Sequence, residues 1–288
     1  MTRCVRTASA PVMGLAARYQ SDAEAILATR GDNGADYWAT PDRRLSKGGP
    51  FSTLEAPALL AELGVDPAEE VLLGAAELLL SAWGEDGRFR LSPSGAIYPC
   101  HTINAARVLS LLGYASDDRL RRTFEHLLEH LHDDGGWRCR KFSYGRGPET
   151  EFSNPGPTLA ALDALRLAGL ADRAPTGAVE LLLDHWVSRA PLGPCHFGIG
   201  TLFMQVEYPF MSYNLFGYVH VLSSYDQARN DPRFREALAV LESRLVNGQI
   251  VPERVHRRLT DLTFCRRGQP SELATARYRQ ILSNVANP

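Results

Sequence analysis

Residues Asp118 to Trp137 read DRLRRTFEHLLEHLHDDGGW. Charged residues alternate with leucines at helical spacing from Asp117 to Leu131, which predicts a helix with one apolar stripe and one wet face. Two aspartates and two glycines then end it in a tight turn, and Trp137 follows as an apolar anchor. A first helix, His101 to Leu112, precedes it across the joint LGYASDDRL.

The same grammar recurs along the chain. Ser52 to Gly64 is followed by Asp66 to Trp83, with proline expected at the first helical position. Thr158 to Ala168 is followed by Thr176 to Trp186, and Tyr213 to Tyr225 by Asp231 to Leu245. LGVDPAEE and YDQARNDPRF repeat the joint, while GEDGRF (Gly84 to Phe89) and VNGQIV (Val246 to Val251) repeat the glycine turn. Strand signals are scarce, so the spacing of roughly 50 residues predicts an array of αα-hairpins. Helices at Val12 to Thr29 and Ser271 to Ser283 have no hairpin partner in sequence and are expected to pack on each other and close the array. The expected fold is all-α, an α/α toroid of about five inner and five outer helices; a curved open solenoid is the alternative. Residues 1–51 form an N-terminal segment and 52–288 the repeats, in one domain overall. First helices carry small residues such as Ala105, Ala106, Ala160 and Ala161 and are read as the inner ring.

Composition excludes several classes. With 31 Lys+Arg against 33 Asp+Glu the net charge is −2, and no long basic tract exists, so nucleic acid is not an expected partner. No apolar run reaches the roughly 18 residues of a membrane span; Val71 to Ala82 is broken by Gly74 and Glu77. The feeble apolar stretch in MTRCVRTASAPVMGLAARY does not predict a secretory leader. Five widely spaced cysteines do not predict a disulfide framework, so reduced thiols and a cytoplasmic location are expected.

The helix-pair spacing, the DDGGW turn and its echo GEDGRF resemble the repeats of squalene cyclases and protein prenyltransferase β subunits, over roughly residues 50 to 288. GQPSELATARYRQIL (Gly268 to Leu282) also resembles the closing segment of uncharacterised bacterial proteins with this repeat. The resemblance implies the toroid and an apolar or prenyl-like ligand in a central pocket. It does not extend to the acid motif: neither D-x-D-D nor D-D-x-x-D is present. Prenyltransferases hold zinc by Asp, Cys and His at the toroid mouth, and that analogy implies a metal site here.

Two tripeptides point to the same place. Pro99-Cys100-His101 opens the second first-type helix, Pro194-Cys195-His196 precedes the fourth, and Cys139 lies two residues past Trp137. If all the first helices start on one face, these thiols meet at one rim, where long loops collect function. Cys100, Cys139 and Cys195 with His101 or His196 would supply zinc with three or four ligands; buried thiols that only stabilise loops are the alternative. On the same rim, Lys141 and Arg146 are candidates for a phosphate or pyrophosphate. Trp137, Phe197 and Tyr213 would line a greasy pocket and Glu151, Glu207 and Tyr208 would supply acid–base groups. The expectation is a prenyltransferase- or terpene-cyclase-like protein, metal- or thiol-dependent if an enzyme. A non-catalytic ligand- or protein-binding scaffold is the second reading.

Overall fold

The computed structural model describes residues 18–286; Cys4 and the expected helix start at Val12 lie outside them. Among the described residues there are 11 α-helices and no strand, so the all-α class is observed. Backbone contacts divide the chain into two compact units. The first runs to Ile97 and adds His101–Leu127 and Leu167–Gly169; the second takes Tyr98–Cys100, Leu128–Arg166 and everything from Leu170.

The first unit holds α1 (Gln20–Ala28), α2 (Ala56–Glu62), α3 (Glu70–Leu80), most of α4 (Pro99–Leu111) and α5 (Asp118–Glu129). The first turn of α4 falls in the second unit. With it lie α6 (Pro155–Leu167), α7 (Thr176–Ser188), α8 (Leu215–Leu222), the single turn α9 (Asp226–Arg229), α10 (Pro232–Glu242) and α11 (Glu272–Ala286). Among the described residues a helix overlaps each expected span, but α2 starts at Ala56 rather than Ser52 and α3 at Glu70 rather than Asp66. Asp66 Oδ1 accepts the Ala68 N–H at 3.0 Å, so a turn stands where the first helical residues were expected and Pro67 lies inside it. The same aspartate device recurs at the other joints: Asp117 Oδ1 takes the Arg119 N–H at 2.9 Å and Asp231 Oδ1 takes the Arg233 N–H at 2.8 Å. The end helices do have local partners: α1 packs on α2, and α11 packs on α8 and on the 3₁₀ turn Thr263–Cys265.

Burial differs between α4 or α8 and the second helices α5 and α10. All eight residues of α8 are buried, and in α4 so are Thr102, Ile103, Ala105, Ala106, Val108, Leu109 and Ser110. The second helices α5 and α10 bury one stripe, at i, i+3, i+4, i+7: Leu120, Thr123, Phe124, Leu127 in α5 and Phe234, Ala237, Leu238, Leu241 in α10. Each large apolar side chain so buried contributes about 1.5–3 kcal/mol. A hub of charge joins α7 to α10, where Arg233 meets Glu180 at 2.7 Å and Asp184 at 2.6 Å while holding its own cap, Asp231.

The turn after the second helix closes in the same way three times. Its glycine is left-handed (Gly87 φ +81°, Gly135 φ +81°, Gly248 φ +74°). The next apolar residue then donates its N–H to a threonine at or near the start of the following first helix. Phe89 bonds to Thr102 Oγ1 at 3.1 Å, Trp137 to Thr158 at 3.2 Å and Ile250 to Thr275 at 3.0 Å. The three threonines are 0–2% exposed, so each hydroxyl satisfies a donor that water cannot reach. At Gly135 glycine is required for a second reason: a Cβ there would stand 2.7 Å from the Gly177 Cα.

Candidate thiol centre

Residue Asn154 organises the long loops of the second unit. It precedes Pro155-Gly156-Pro157, the first turn of α6. A capping side chain ordinarily accepts from the second or third helical N–H, and here the third residue is Pro157, which has none. Asn154 Oδ1 instead accepts the backbone N–H of Cys195, at 2.9 Å. Its own N–H donates to Trp137 O at 3.1 Å. Trp137, two residues before Cys139, and Cys195 are thus both pinned to one fully buried residue, the first by its backbone and the second by its side chain. Asp134 tightens the same corner, since its carboxylate accepts Ser153 N–H at 2.7 Å and Ser153 Oγ–H at 2.6 Å. Burial opposes that charge, yet the Ser153 and Gly136 donors hold the Asp134 carboxyl below its ordinary value.

The thiols meet as a result. Cys139 is buried and hydrogen-bonded through its side chain to Cys195, and Cys100, at the start of α4, is close enough to act on Cys195 electrostatically. None of the four described cysteines is in a disulfide. Burial first, then Cys139 and Cys100, push the Cys195 thiol up to about 11. Each neighbour disfavours a thiolate at Cys195 in this poorly solvated place. The Asn154 Nδ2 is buried without an acceptor. It is a donor that a thiolate or a ligand oxygen would satisfy.

His196 diverges from this group. His196 takes a left-handed backbone (φ +53°) and turns its Nε2 to Glu149 Oε1, 2.9 Å away. A backbone N–H at Glu149 first, then the imidazole and the Gly147 N–H, hold the Glu149 carboxyl below its ordinary value. His101 belongs to the first unit, and burial holds its imidazole below its ordinary value. Cys265 is also separate: its thiol donates to Leu259 O at 3.6 Å. Among the described residues no group of three or more His, Cys, Asp or Glu forms a ready-made metal cage.

The remaining sequence candidates are dispersed. Phe197 edges Tyr213, centroids 5.8 Å apart, and its ring lies so close to Gly156 that a Cβ there would be 2.4 Å away. The Tyr213 hydroxyl is 2.9 Å from His185 Nδ1, whose Nε2 is 3.0 Å from Ala190 O. Donation to that carbonyl leaves Nδ1 as the acceptor for the phenol. Burial lowers the His185 pKa and raises that of Tyr213, which keeps both neutral. Trp137 is buried beneath its turn, and Tyr208 is core, packed against Phe210, Phe216 and Phe264. Glu207 is buried with its carboxylate taken by Arg254 and the Ser212 hydroxyl. Glu151 is exposed opposite Arg138, and Lys141 and Arg146 are exposed on the loop between Cys139 and α6.

Two clefts open elsewhere. One of about 440 Å³ lies between Met204, Arg244, Glu253 and Arg267 in the second unit. The other, of about 760 Å³, is lined by Arg43, Trp83, Glu85 and Arg88 in the first. Neither lining includes a thiol of the cluster or the rings of Phe197 and Tyr213. Sequence reasoning missed Asn154 and the Tyr213–His185 pair. The Asn-Pro-Gly-Pro run signalled the first, because a proline in the third helical position leaves the cap side chain with one target fewer.

No protein-family model matches this chain, and no curated protein matches it.

Proposed function

We propose that the chain is a thiol-centred protein of the prenyltransferase and cyclase repeat type, its hairpins closed into an α/α toroid, acting on an isoprenoid or other apolar substrate. The observation behind this reading is the hydrogen bond between Cys139 and Cys195, two thiols 56 residues apart in sequence, with Cys100 near enough to act on Cys195 electrostatically. Soft thiolate donors suit zinc, and a set of three protein ligands would leave a position for substrate. Zinc, which prefers soft thiolate donors, is also the metal that the repeat resemblance implies. Cys100, Cys139 and Cys195 would hold it, and when bound it supplies Lewis acidity and stabilises thiolate. Asn154 fixes the Cys195 backbone and keeps an amide donor beside it. Phe197 and Tyr213 offer aromatic surface on the loop that follows Cys195.

Elemental analysis of protein purified without a metal-affinity tag tests this reading. One zinc per chain, lost in both Cys139→Ser and Cys195→Ser, is expected. Absence of stoichiometric zinc together with unchanged stability in chelator would remove the metal-dependent form of the proposal. A non-catalytic binding scaffold is the second reading. It draws on the resting state of the thiols, since a Cys195 pKa pushed up to about 11 leaves almost no free thiolate near neutrality.

A further inference from the structure

Every aromatic side chain that is exposed among the described residues lies on one loop. Phe142 is 42% exposed, Tyr144 71% and Phe152 47%. Arg140, Lys141 and Arg146 interleave with them and are exposed too, and none has an ion-pair partner among the described residues. The nearby carboxylates are already engaged, Glu149 by His196 and Glu151 by Arg138. The loop is held in place, with Tyr144 N–H on Pro194 O at 2.8 Å and Gly193 N–H on Glu149 O at 2.9 Å. A fixed loop that presents three apolar rings among three unpaired cations is a surface built to meet something both greasy and anionic.

We propose that this loop docks the protein reversibly on an anionic lipid surface, the rings entering the headgroup boundary and the cations lying at the phosphate level. Nucleic acid fits less well. Phe142 and Tyr144 meet edge to face, 4.3 Å apart, so they do not form a parallel stacking platform. Three cations also fall short of the six to ten phosphate contacts typical of salt-sensitive nucleic-acid binding, and the whole chain is slightly acidic. Each cation near an anionic membrane raises partitioning about fivefold, so three give about a hundredfold. That range permits exchange between membrane and water rather than permanent attachment. The proposal stands independently of the thiol centre.

Co-sedimentation of the full chain with phosphatidylcholine vesicles, with and without phosphatidylserine, provides the test. Binding only to the anionic vesicles is expected. It should fall about a hundredfold in the triple variant Arg140→Gln, Lys141→Gln, Arg146→Gln, and drop strongly in Phe142→Ser, Tyr144→Ser. All these side chains are exposed, so an unchanged melting temperature verifies that the variants fold. No sedimentation, equal binding to neutral vesicles, binding indifferent to the variants, or retention on single-stranded oligonucleotide without vesicle binding would each overturn the proposal.

Discussion

The backbone N–H of Cys195 donates to the side-chain oxygen of Asn154, 2.9 Å away and 41 residues earlier in the chain. That bond exists because Pro157 withdraws the N–H that an asparagine cap would otherwise use. It sets the Cys195 backbone against the corner that carries Trp137. Asn154→Ala should therefore lower stability by about 1–3 kcal/mol in urea titrations, the cost of an unpaired buried donor, and speed alkylation of Cys195. Alkylation at the wild-type rate would separate Asn154 from the thiol centre.

Thr158 is the clearest member of the threonine series. Thr158→Val keeps the volume but leaves the buried Trp137 N–H without an acceptor. A loss of about 1–3 kcal/mol is expected, with Thr158→Ser recovering most of it. Equal losses in the two variants would point to packing rather than the hydrogen bond.

Two glycines distinguish conformational strain from collision. Gly248→Ala meets nothing within 4 Å, so only its left-handed backbone is penalised, by about 1–2 kcal/mol. Gly135→Ala bears the same backbone penalty and in addition drives its Cβ against the Gly177 backbone, so its loss should be at least twice as large. Equal melting temperatures for the two variants would show that the Gly135–Gly177 approach relaxes freely.

The thiol cluster imposes a pH dependence on the metal-free protein. Cys195 holds its proton more tightly when folded, about 11 against an ordinary 9.0. The stability it contributes is therefore complete below pH 9 and is lost as pH rises through 11. Cys195 is only half-buried, and solvent screening limits the effect to about 1 kcal/mol. The difference in unfolding free energy between wild type and Cys195→Ser should shrink across that interval; a difference that grows with pH would reverse the sign of the electrostatics.

Much of the fold was legible in the sequence because three of the four helix pairs repeat one set of signals: an aspartate joint, an apolar stripe and a glycine turn. Helix starts were less legible. At Asp66 the side chain closes a turn before α3, and a proline near a helix start does not reveal whether it lies in the helix or in that turn. The hydrogen bond between Cys139 and Cys195 joins two thiols whose place relative to the first helices was legible. The divergence of His196 was not, because it depends on a left-handed backbone and a carboxylate 47 residues away. Glu207 and Tyr208 were read as rim groups from a run rich in aromatics. Burial against Arg254 and the surrounding rings was invisible without the packing.

Cobalt(II) titration of the metal-free, reduced protein tests the thiol centre most directly, because thiolate ligation produces intense near-ultraviolet charge-transfer bands and strong visible bands from a tetrahedral ion. Saturation at one cobalt per chain is expected, with both sets of bands present and lost in Cys195→Ser. A weak octahedral spectrum, or bands that persist in Cys195→Ser, would contradict a shared site at Cys100, Cys139 and Cys195.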